Sequence, residues 1–158
     1  QYAHARICSL LRKMEEEGIR VPESADLTVL GEAEELALVK QISLLPEEIT
    51  AAAAERDPSR LNKYAVALCA QFHRFYNACR IKDAEETVRD ARLVLCRAAR
   101  QTIYNVLSII GVVVTAAEKE IKAARLGSQT GLQYLCKEPQ LVVQLLIPFG
   151  EYRCIEQE

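Results

Sequence analysis

Hydrophobic residues recur at helical spacing along two long stretches of the chain. Within each stretch they lie three or four residues apart, which places them on one side of a 3.6-residue helix. The first set is Leu61, Tyr64, Ala65, Leu68, Phe72, Phe75 and Cys79. The second set is Val88, Ala91, Leu95, Ala99, Ile103, Val106 and Ile110. The pattern predicts two long amphipathic helices, each with a buried face, joined by a short polar turn.

Three shorter helices are predicted ahead of this pair. The apolar residues of the first are Tyr2, Ile7, Leu10, Leu11 and Met14, and Gly18 follows as a C′ glycine. The second spans residues 32–45, and its inward residues are predicted to be Leu36, Val39, Ile42 and Leu45. The third begins at Pro46, because a missing N–H costs nothing at the first helical position.

Capping signals define where the two long helices begin and end. Asp57 is predicted to cap the fourth helix, and Pro58 is predicted to be its first helical residue. Asp83 with Glu86 three residues later has the pattern of a capping box for the fifth. Gly111 is predicted to end the fifth helix.

The chain up to Val112 shows no strand alternation, so the predicted fold class is all-α, a helical bundle. A cap signal at Thr115 predicts one further helix that ends at Gly127. We place the bundle domain at residues 1–126 and a C-terminal extension of uncertain structure at residues 127–158. The pattern of the extension fits either a short helix or a buried strand.

Composition limits both the number of domains and the classes of partner. The chain has 158 residues, of which 50% are hydrophobic, and this is enough for one domain with one core. Its formal net charge is -2, so DNA is not an expected partner and any anion site must come from local clustering. The longest uncharged apolar run, residues 140–150, is too short to span a membrane. Because a helical pattern is already present at Tyr2 with no start Met, we expect a piece of a longer protein.

The six cysteines are scattered along the chain, without a C-x-x-C pair or a close set of Cys and His. A structural zinc site therefore has little support. Buried, reduced thiols in a cytoplasmic protein are favoured over disulfides. The cysteines are Cys8, Cys69, Cys79, Cys96, Cys136 and Cys154.

Motifs for catalysis are absent from the sequence. It has no glycine-rich phosphate loop, no dinucleotide-binding glycine pattern, no H-E-x-x-H and no G-x-S-x-G. His4 lies one turn before Cys8, which leaves a Cys/His nucleophile as an alternative, but nothing positions an oxyanion hole. His73 is favoured as a surface or hydrogen-bonded helix residue. We therefore predict no catalytic residue, no metal site and no cofactor in this chain.

Aromatic and cationic residues at helical spacing indicate recognition instead. Tyr2 and Arg6 lie four residues apart on the first helix, and Tyr76 and Arg80 repeat that spacing near the end of the fourth. A ring for stacking beside a guanidinium that pairs with phosphate or base edges is suited to unpaired RNA bases. Ordinary packing is the alternative, because such pairs are common on helix surfaces.

Four arginines line one side of the fifth helix. They occupy an arc of about 140° that barely overlaps the apolar side. One interpretation is a face that binds an anion, and the alternative is a solvated polar face. The residues are Arg89, Arg92, Arg97 and Arg100.

Several segments together resemble one known module. The first residues, QYAHARICSLLRK, resemble the helix of arginyl-tRNA synthetases that leads from the catalytic domain into the anticodon-binding domain. FHRFYNACRI and ARLVLCRAARQTIYNVLSIIGV resemble later helices of that module, the DALR anticodon-binding domain. Residues 36–72 are similar to the family's leucine-rich helix, its proline and the helix that follows. The likeness runs in order from Gln1 to Val112.

The resemblance implies a tRNA-binding role within an enzyme that joins arginine to its tRNA using ATP. In that family the bundle grips the anticodon stem-loop, and a pocket of aromatic, arginine and methionine side chains accepts an anticodon base. The resemblance implies that Tyr2, Arg6 and Tyr76 line this pocket. We predict Arg74 and Arg80 as further RNA-binding residues. It implies the tRNA for arginine as partner and the cytoplasm as compartment, with ATP and Mg²⁺ bound elsewhere in the parent enzyme.

The chain departs from the family pattern at three places. The family usually has Asn where His73 stands. The P-E-R-M segment, whose Met completes the pocket, has no counterpart after Gly111, since the only Met is Met14. The HIGH and KMSKS motifs are absent, so this chain alone is not expected to be catalytic. A stand-alone adaptor that binds tRNA or a protein partner, and a purely structural bundle, are the alternatives.

Overall fold

The computed structural model describes residues 1–112 and Val114, and within that range the chain contains helices and no strand. This confirms the predicted all-α class. The helices are α1 (Tyr2–Glu16), a short 3-10 helix (Leu27–Val29), α2 (Ala33–Ser43), α3 (Leu45–Glu55), α4 (Ser59–Ala78) and α5 (Glu86–Ile109). No described helix is long and apolar enough to cross a membrane. The helix predicted from Thr115 to Gly127 and the extension after it lie outside the described residues.

Helices α4 and α5 form the centre of the bundle. Helix α1 packs on both of them, α2 also packs on both, α3 packs on α4, and the 3-10 helix packs on α5. All seven apolar residues predicted to face inward from the α4 stretch are buried, and Phe72 and Phe75 are completely inaccessible. The buried side of α5 is wider than predicted, because Leu93, Val94 and Cys96 are buried as well. Helical periodicity therefore correctly identified the core of the bundle.

Helices α1 and α5 end where glycine was predicted to end them. Gly18 has φ +81° and Gly111 has φ +73°, conformations that a residue without a Cβ adopts at little cost. At the end of α1 the Ile19 N–H donates to the Met14 carbonyl at 2.9 Å, and at the end of α5 Val112 donates to Leu107 at 2.8 Å. These are the hydrogen bonds of a Schellman motif, which satisfies carbonyls that the helix leaves unpaired.

The predicted caps of α4 and α5 have different outcomes. The Asp57 carboxylate accepts from the Ser59 N–H at 2.9 Å, but the N-cap of α4 is Pro58, which was predicted to be the first helical residue, and it has no side-chain cap. The predicted capping box of Asp83 and Glu86 is wrong. Helix α5 begins only at Glu86, and its N-cap Glu85 makes no side-chain capping bond. Because Glu86 is the first helical residue rather than the third, it cannot reach back to Asp83 as the box requires.

The inward face predicted for α2 is also wrong at two positions. Leu36 is 53% exposed and Val39 is 38% exposed, whereas Glu35 and Leu38 are completely buried. The reason is that the Glu35 carboxylate is required inside the bundle. It accepts from the N–H groups of Gly31 and Glu32 at 2.9 Å each, and from Arg92 Nε at 2.6 Å.

Helix α3 ends at a residue with a strained backbone, and this gives a testable prediction. Arg56 has φ +54°, and the Asp57 N–H donates to the Ala52 carbonyl as in a Schellman motif. An L-residue with a Cβ in the left-handed region costs roughly 1–2 kcal/mol. We expect Arg56→Gly to raise the free energy of unfolding by about 1 kcal/mol in chemical denaturation. Arg56→Ala, which removes the charge but keeps the Cβ, is the control, and equal stability of the two variants would contradict the strain.

Candidate nucleic-acid interface

Residues from the start of α1 and the end of α4 meet on one side of the bundle. Helix α1 is held by buried Ile7 and Leu11, and its first two turns lie beside the last turns of α4. This packing places the Arg6 guanidinium carbon 4.7 Å from the centre of the Tyr76 ring, a cation–π contact. It also places the Tyr2 ring 6.2 Å from the His73 ring, at an interplanar angle of 38°. We call Tyr2, Arg6, His73 and Tyr76 the aromatic–arginine cluster.

Phe72 anchors the cluster from below. Its side chain is completely buried, and its ring lies 5.9 Å from the ring of His73 and 6.0 Å from the ring of Tyr76. The cluster therefore stands on a fixed part of the core. Tyr2, at the outer edge, is 53% exposed, whereas His73 and Tyr76 are partly buried. An aromatic surface that is rigid underneath and open above can receive a flat ligand with little loss of side-chain entropy.

The contacts within the cluster differ from those that helical spacing predicted. Arg6 lies over Tyr76 of the neighbouring helix, seventy positions away in the sequence. The expected pairing of Tyr76 with Arg80 along one helix is wrong, because α4 ends at Ala78 and Cys79 is extended. Arg80 therefore lies in the turn between α4 and α5, where its carbonyl accepts from Arg92 at 2.7 Å.

The three arginines proposed alongside the tyrosines keep their charges available. Among the described residues, Arg6, Arg74 and Arg80 make no ion pair with a carboxylate, and the side chains of Arg74 and Arg80 are exposed. Arg74 lies on the opposite side of α4 from Tyr76, because two residues correspond to about 200° of helical rotation. The structure therefore brings Arg6 into the cluster, while Arg74 and Arg80 lie outside it.

The arginine side of α5 is not the open anion-binding face that its spacing indicated. Arg92 pairs with buried Glu35, and Arg97 donates to the carbonyl of Glu23. The other two are also engaged: Arg89 lies 3.5 Å from the carboxylates of Glu86 and Asp90 in its own helix, and the Arg100 guanidinium lies close enough to the Cys8 thiol to influence its pKa. Three of the four arginines therefore face neighbouring segments and the fourth pairs within α5, and this structural use explains the pattern.

Cys8 and His4 are in contact on α1, but the pKa of Cys8 does not support the Cys/His alternative. The Cys8 sulfur lies 3.7 Å from His4 Nδ1. Burial raises the pKa of the Cys8 thiol, and this effect outweighs the opposing influence of the Arg100 guanidinium. A nucleophilic cysteine needs the reverse, a lowered pKa. The other described cysteines, Cys69, Cys79 and Cys96, are also free thiols with raised pKa values, and burial is the main cause.

Other parts of the described surface do not resemble a site for an ion or a charged ligand. Within residues 1–112 and Val114, no three His, Cys, Asp or Glu side chains converge on a point where a metal ion would fit. An apolar cavity of about 160 Å³ lies between the 3-10 helix, α2 and α5, and its lining includes Leu27, Val39 and Leu95 but no charged residue. It does not include any member of the aromatic–arginine cluster.

Comparison with known proteins identifies the family. Residues 1–126 match the DALR anticodon binding domain. The chain belongs to this family. The arginine–tRNA ligase of Acetivibrio thermocellus is 48% identical over 121 residues, which cover 75% of this chain and 21% of that protein. The arginine–tRNA ligase of Heliobacterium modesticaldum is 46% identical over 125 residues, covering 75% of this chain and 22% of that protein.

A solved structure shares the fold of this DALR domain. Thermus thermophilus arginyl-tRNA synthetase superposes with a TM-score of 0.65 at 29% sequence identity, covering 73% of this chain and 20% of that one. This similarity confirms that the bundle is of the anticodon-binding type found in that synthetase. The chain spans about one fifth of the length of the relatives it matches.

Sequence reasoning about the DALR domain missed one member of the cluster. His73 was predicted to be a surface or hydrogen-bonded helix residue, although it precedes Tyr76 by three residues and therefore lies on a neighbouring part of the same helix face. The three-residue spacing from Tyr76 was the signal in the sequence that could have identified His73 as a member of the cluster. The structure also shows that Met14 is buried in the core and 3% exposed, so the chain's only methionine does not line the cluster.

Proposed function

We propose that this DALR domain is the anticodon-binding part of an arginine–tRNA ligase, and that its aromatic–arginine cluster receives unpaired anticodon bases. The observation that carries the proposal is the meeting of α1 with α4, which places Tyr2 beside His73 and Arg6 over Tyr76. Spacing and family resemblance single out three of these residues, Tyr2, Arg6 and Tyr76. A chain folded only for packing has no need of an exposed ring beside a guanidinium that lacks a carboxylate partner within the described part of the chain.

The physical basis of binding would be stacking combined with charge. Every base has a π-face, and stacking on an aromatic side chain contributes about 1–3 kcal/mol per base. Tyr2 offers the more exposed ring, whereas the Arg6 guanidinium covers one face of Tyr76 and extends that flat surface. Guanidinium planes stack on bases and also pair with phosphates. Arg74 and Arg80, both exposed and without a carboxylate partner among the described residues, are proposed to contact the RNA backbone.

The chemistry of aminoacylation is assigned to the rest of the parent enzyme. The described residues do not bring together side chains that would hold Mg²⁺, and we derive no catalytic step from them. ATP and Mg²⁺ are proposed to act in that other part, in the cytoplasm. This domain would contribute binding energy and orientation, which turn an encounter between enzyme and tRNA into a fixed alignment.

The test is binding of the complete enzyme to the tRNA for arginine and to the same tRNA with an altered anticodon. Titrations at several salt concentrations separate backbone contacts from base contacts, because phosphate contacts make affinity fall with salt. We expect the unaltered tRNA to bind at least tenfold more tightly at every salt concentration. Equal affinity for the two tRNAs would overturn anticodon recognition. A helical adaptor without base specificity would give that result. Absence of tRNA binding even at low salt would support the alternative of a purely structural bundle.

A further inference from the structure

We propose that His73 reads the edge of the base that stacks beside it, and so contributes to anticodon specificity. This inference rests on the proposed function and adds to it a specificity-determining residue. The imidazole stands between the exposed Tyr2 ring, 6.2 Å away, and the buried Phe72 ring, 5.9 Å away. It therefore lies at the border between the core and the open stacking surface, where the edge of a stacked base would come to rest.

His73 has hydrogen-bonding capacity that the fold does not use. Among the described residues neither of its ring nitrogens donates or accepts a hydrogen bond; its contacts there are with aromatic rings. The ring is held by packing on both sides, so its orientation is set before a ligand arrives. Its nitrogens are not among the buried polar atoms that lack a partner in the described part of the chain, so they are open to solvent and can take a partner from a ligand. A stacked base can supply such a partner through its Watson–Crick or Hoogsteen edge.

The protonation state of His73 suits a base edge better than a phosphate. Partial burial lowers its pKa, and the positive charge of Arg6 lowers it further. The imidazole is therefore neutral at pH 7, with one N–H donor and one acceptor nitrogen. A phosphate accepts hydrogen bonds only, and Arg6 already provides a cation at this place. A base edge presents donors and acceptors together, and their arrangement matches the donor and acceptor of His73 only for some bases.

The other members of the cluster are less suited to this selection. Stacking on Tyr2 is tolerant of sequence, because all four bases present a similar π-face. Arg6 offers donors only, so it can test a base edge for acceptors but not for donors. The hydroxyls of Tyr2 and Tyr76 can donate and accept through one rotating O–H, whereas the two ring nitrogens of His73 present a donor and an acceptor at separate places on one ring. The prediction is that it contributes more to discrimination than to overall affinity.

The experiment uses the complete enzyme and a set of three tRNAs, each altered at one anticodon position. His73→Phe keeps the ring and its packing but removes both hydrogen-bonding atoms. We expect it to reduce discrimination about five- to tenfold at one anticodon position and to leave the other two positions unchanged. His73→Asn restores a donor and an acceptor and is expected to recover most of the lost discrimination. Asn62→Ala, an exposed polar residue about three turns away on α4, is the control.

The outcomes distinguish a failure of this inference from a failure of the proposed function. If the unmodified enzyme shows no anticodon preference, the proposed function itself fails. If the enzyme discriminates and His73→Phe discriminates equally well at all three positions, only the role of His73 is rejected. A uniform loss at all three positions, shared by His73→Asn, indicates that His73 merely supports the packing and also rejects base reading.

Discussion

Replacing Glu35 by alanine is expected to reduce the free energy of unfolding by about 3–5 kcal/mol. The Glu35 carboxylate is completely buried, and it is the partner of an arginine side chain that is itself only 12% exposed. Removing the carboxylate leaves the Arg92 charge buried without compensation. It also leaves the N–H groups of Gly31 and Glu32 without their acceptor, which adds a desolvation cost. Small domains are stable by only about 5–15 kcal/mol, so this single substitution removes a large fraction of the free energy of unfolding.

The size of the effect also reflects how many segments meet at this carboxylate. Glu35 joins the start of α2 to Arg92 of α5, and Arg92 in turn donates to the Arg80 carbonyl in the turn that follows α4. Three parts of the chain that are distant in sequence are therefore fixed by two side chains. The surface ion pairs, such as Lys82 with Glu17, lack this burial and contribute much less, because solvent screens their charges.

Urea denaturation of Glu35→Ala beside Glu34→Ala measures the effect. Glu34 is the neighbouring residue on the same helix and has no partner among the described residues, so its variant is expected to stay within about 0.5 kcal/mol of the unmodified protein. Glu35→Gln keeps the shape and removes the charge, and an intermediate loss is expected. A loss below about 1 kcal/mol for Glu35→Ala would show that the buried pair contributes little.

The same pair explains where sequence reasoning about the fold succeeded and where it failed. The inward faces of α4 and α5 were predicted correctly, because their apolar residues leave one stripe that must be buried. The face of α2 was predicted incorrectly, because the rule assumes that carboxylates point outward. A buried Glu35 requires an arginine 57 residues away, and no local pattern records that distance. Leu36 and Val39 became exposed as a consequence.

The candidate site was predictable in its residue types but not in its pairing. Spacing and resemblance selected Tyr2, Arg6 and Tyr76, and the structure brings them together. The sequence could not show that Arg6 would cover Tyr76, because that contact depends on how α1 packs against α4. It also placed Arg80 on a helix that ends two residues earlier. Contacts between helices are set by tertiary packing, which periodicity within one helix does not encode.

Replacing Tyr76 by alanine in the complete enzyme is expected to weaken tRNA binding about tenfold or more. The ring holds the Arg6 guanidinium at 4.7 Å and packs 6.0 Å from Phe72, so its loss removes a stacking surface and releases the neighbouring cation. Stacking at about 1–3 kcal/mol per base corresponds to roughly 5- to 150-fold in affinity. The increase should appear in the KM for tRNA, whereas the KM values for ATP and arginine should stay the same.

The matched control is Tyr104→Ala, which removes a partly buried tyrosine of α5 whose ring lies 6.3 Å from His4, outside the aromatic–arginine cluster. Both variants lose a similar packing area, so a general loosening of the bundle would affect them alike. Tyr76→Phe retains the ring and the cation–π contact, and is expected to keep most of the affinity. If Tyr76→Ala and Tyr104→Ala raise the KM for tRNA equally, the effect of Tyr76→Ala reflects a less stable bundle and not a lost contact with RNA. If Tyr76→Ala leaves that KM unchanged while the protein remains folded, Tyr76 does not contact the anticodon.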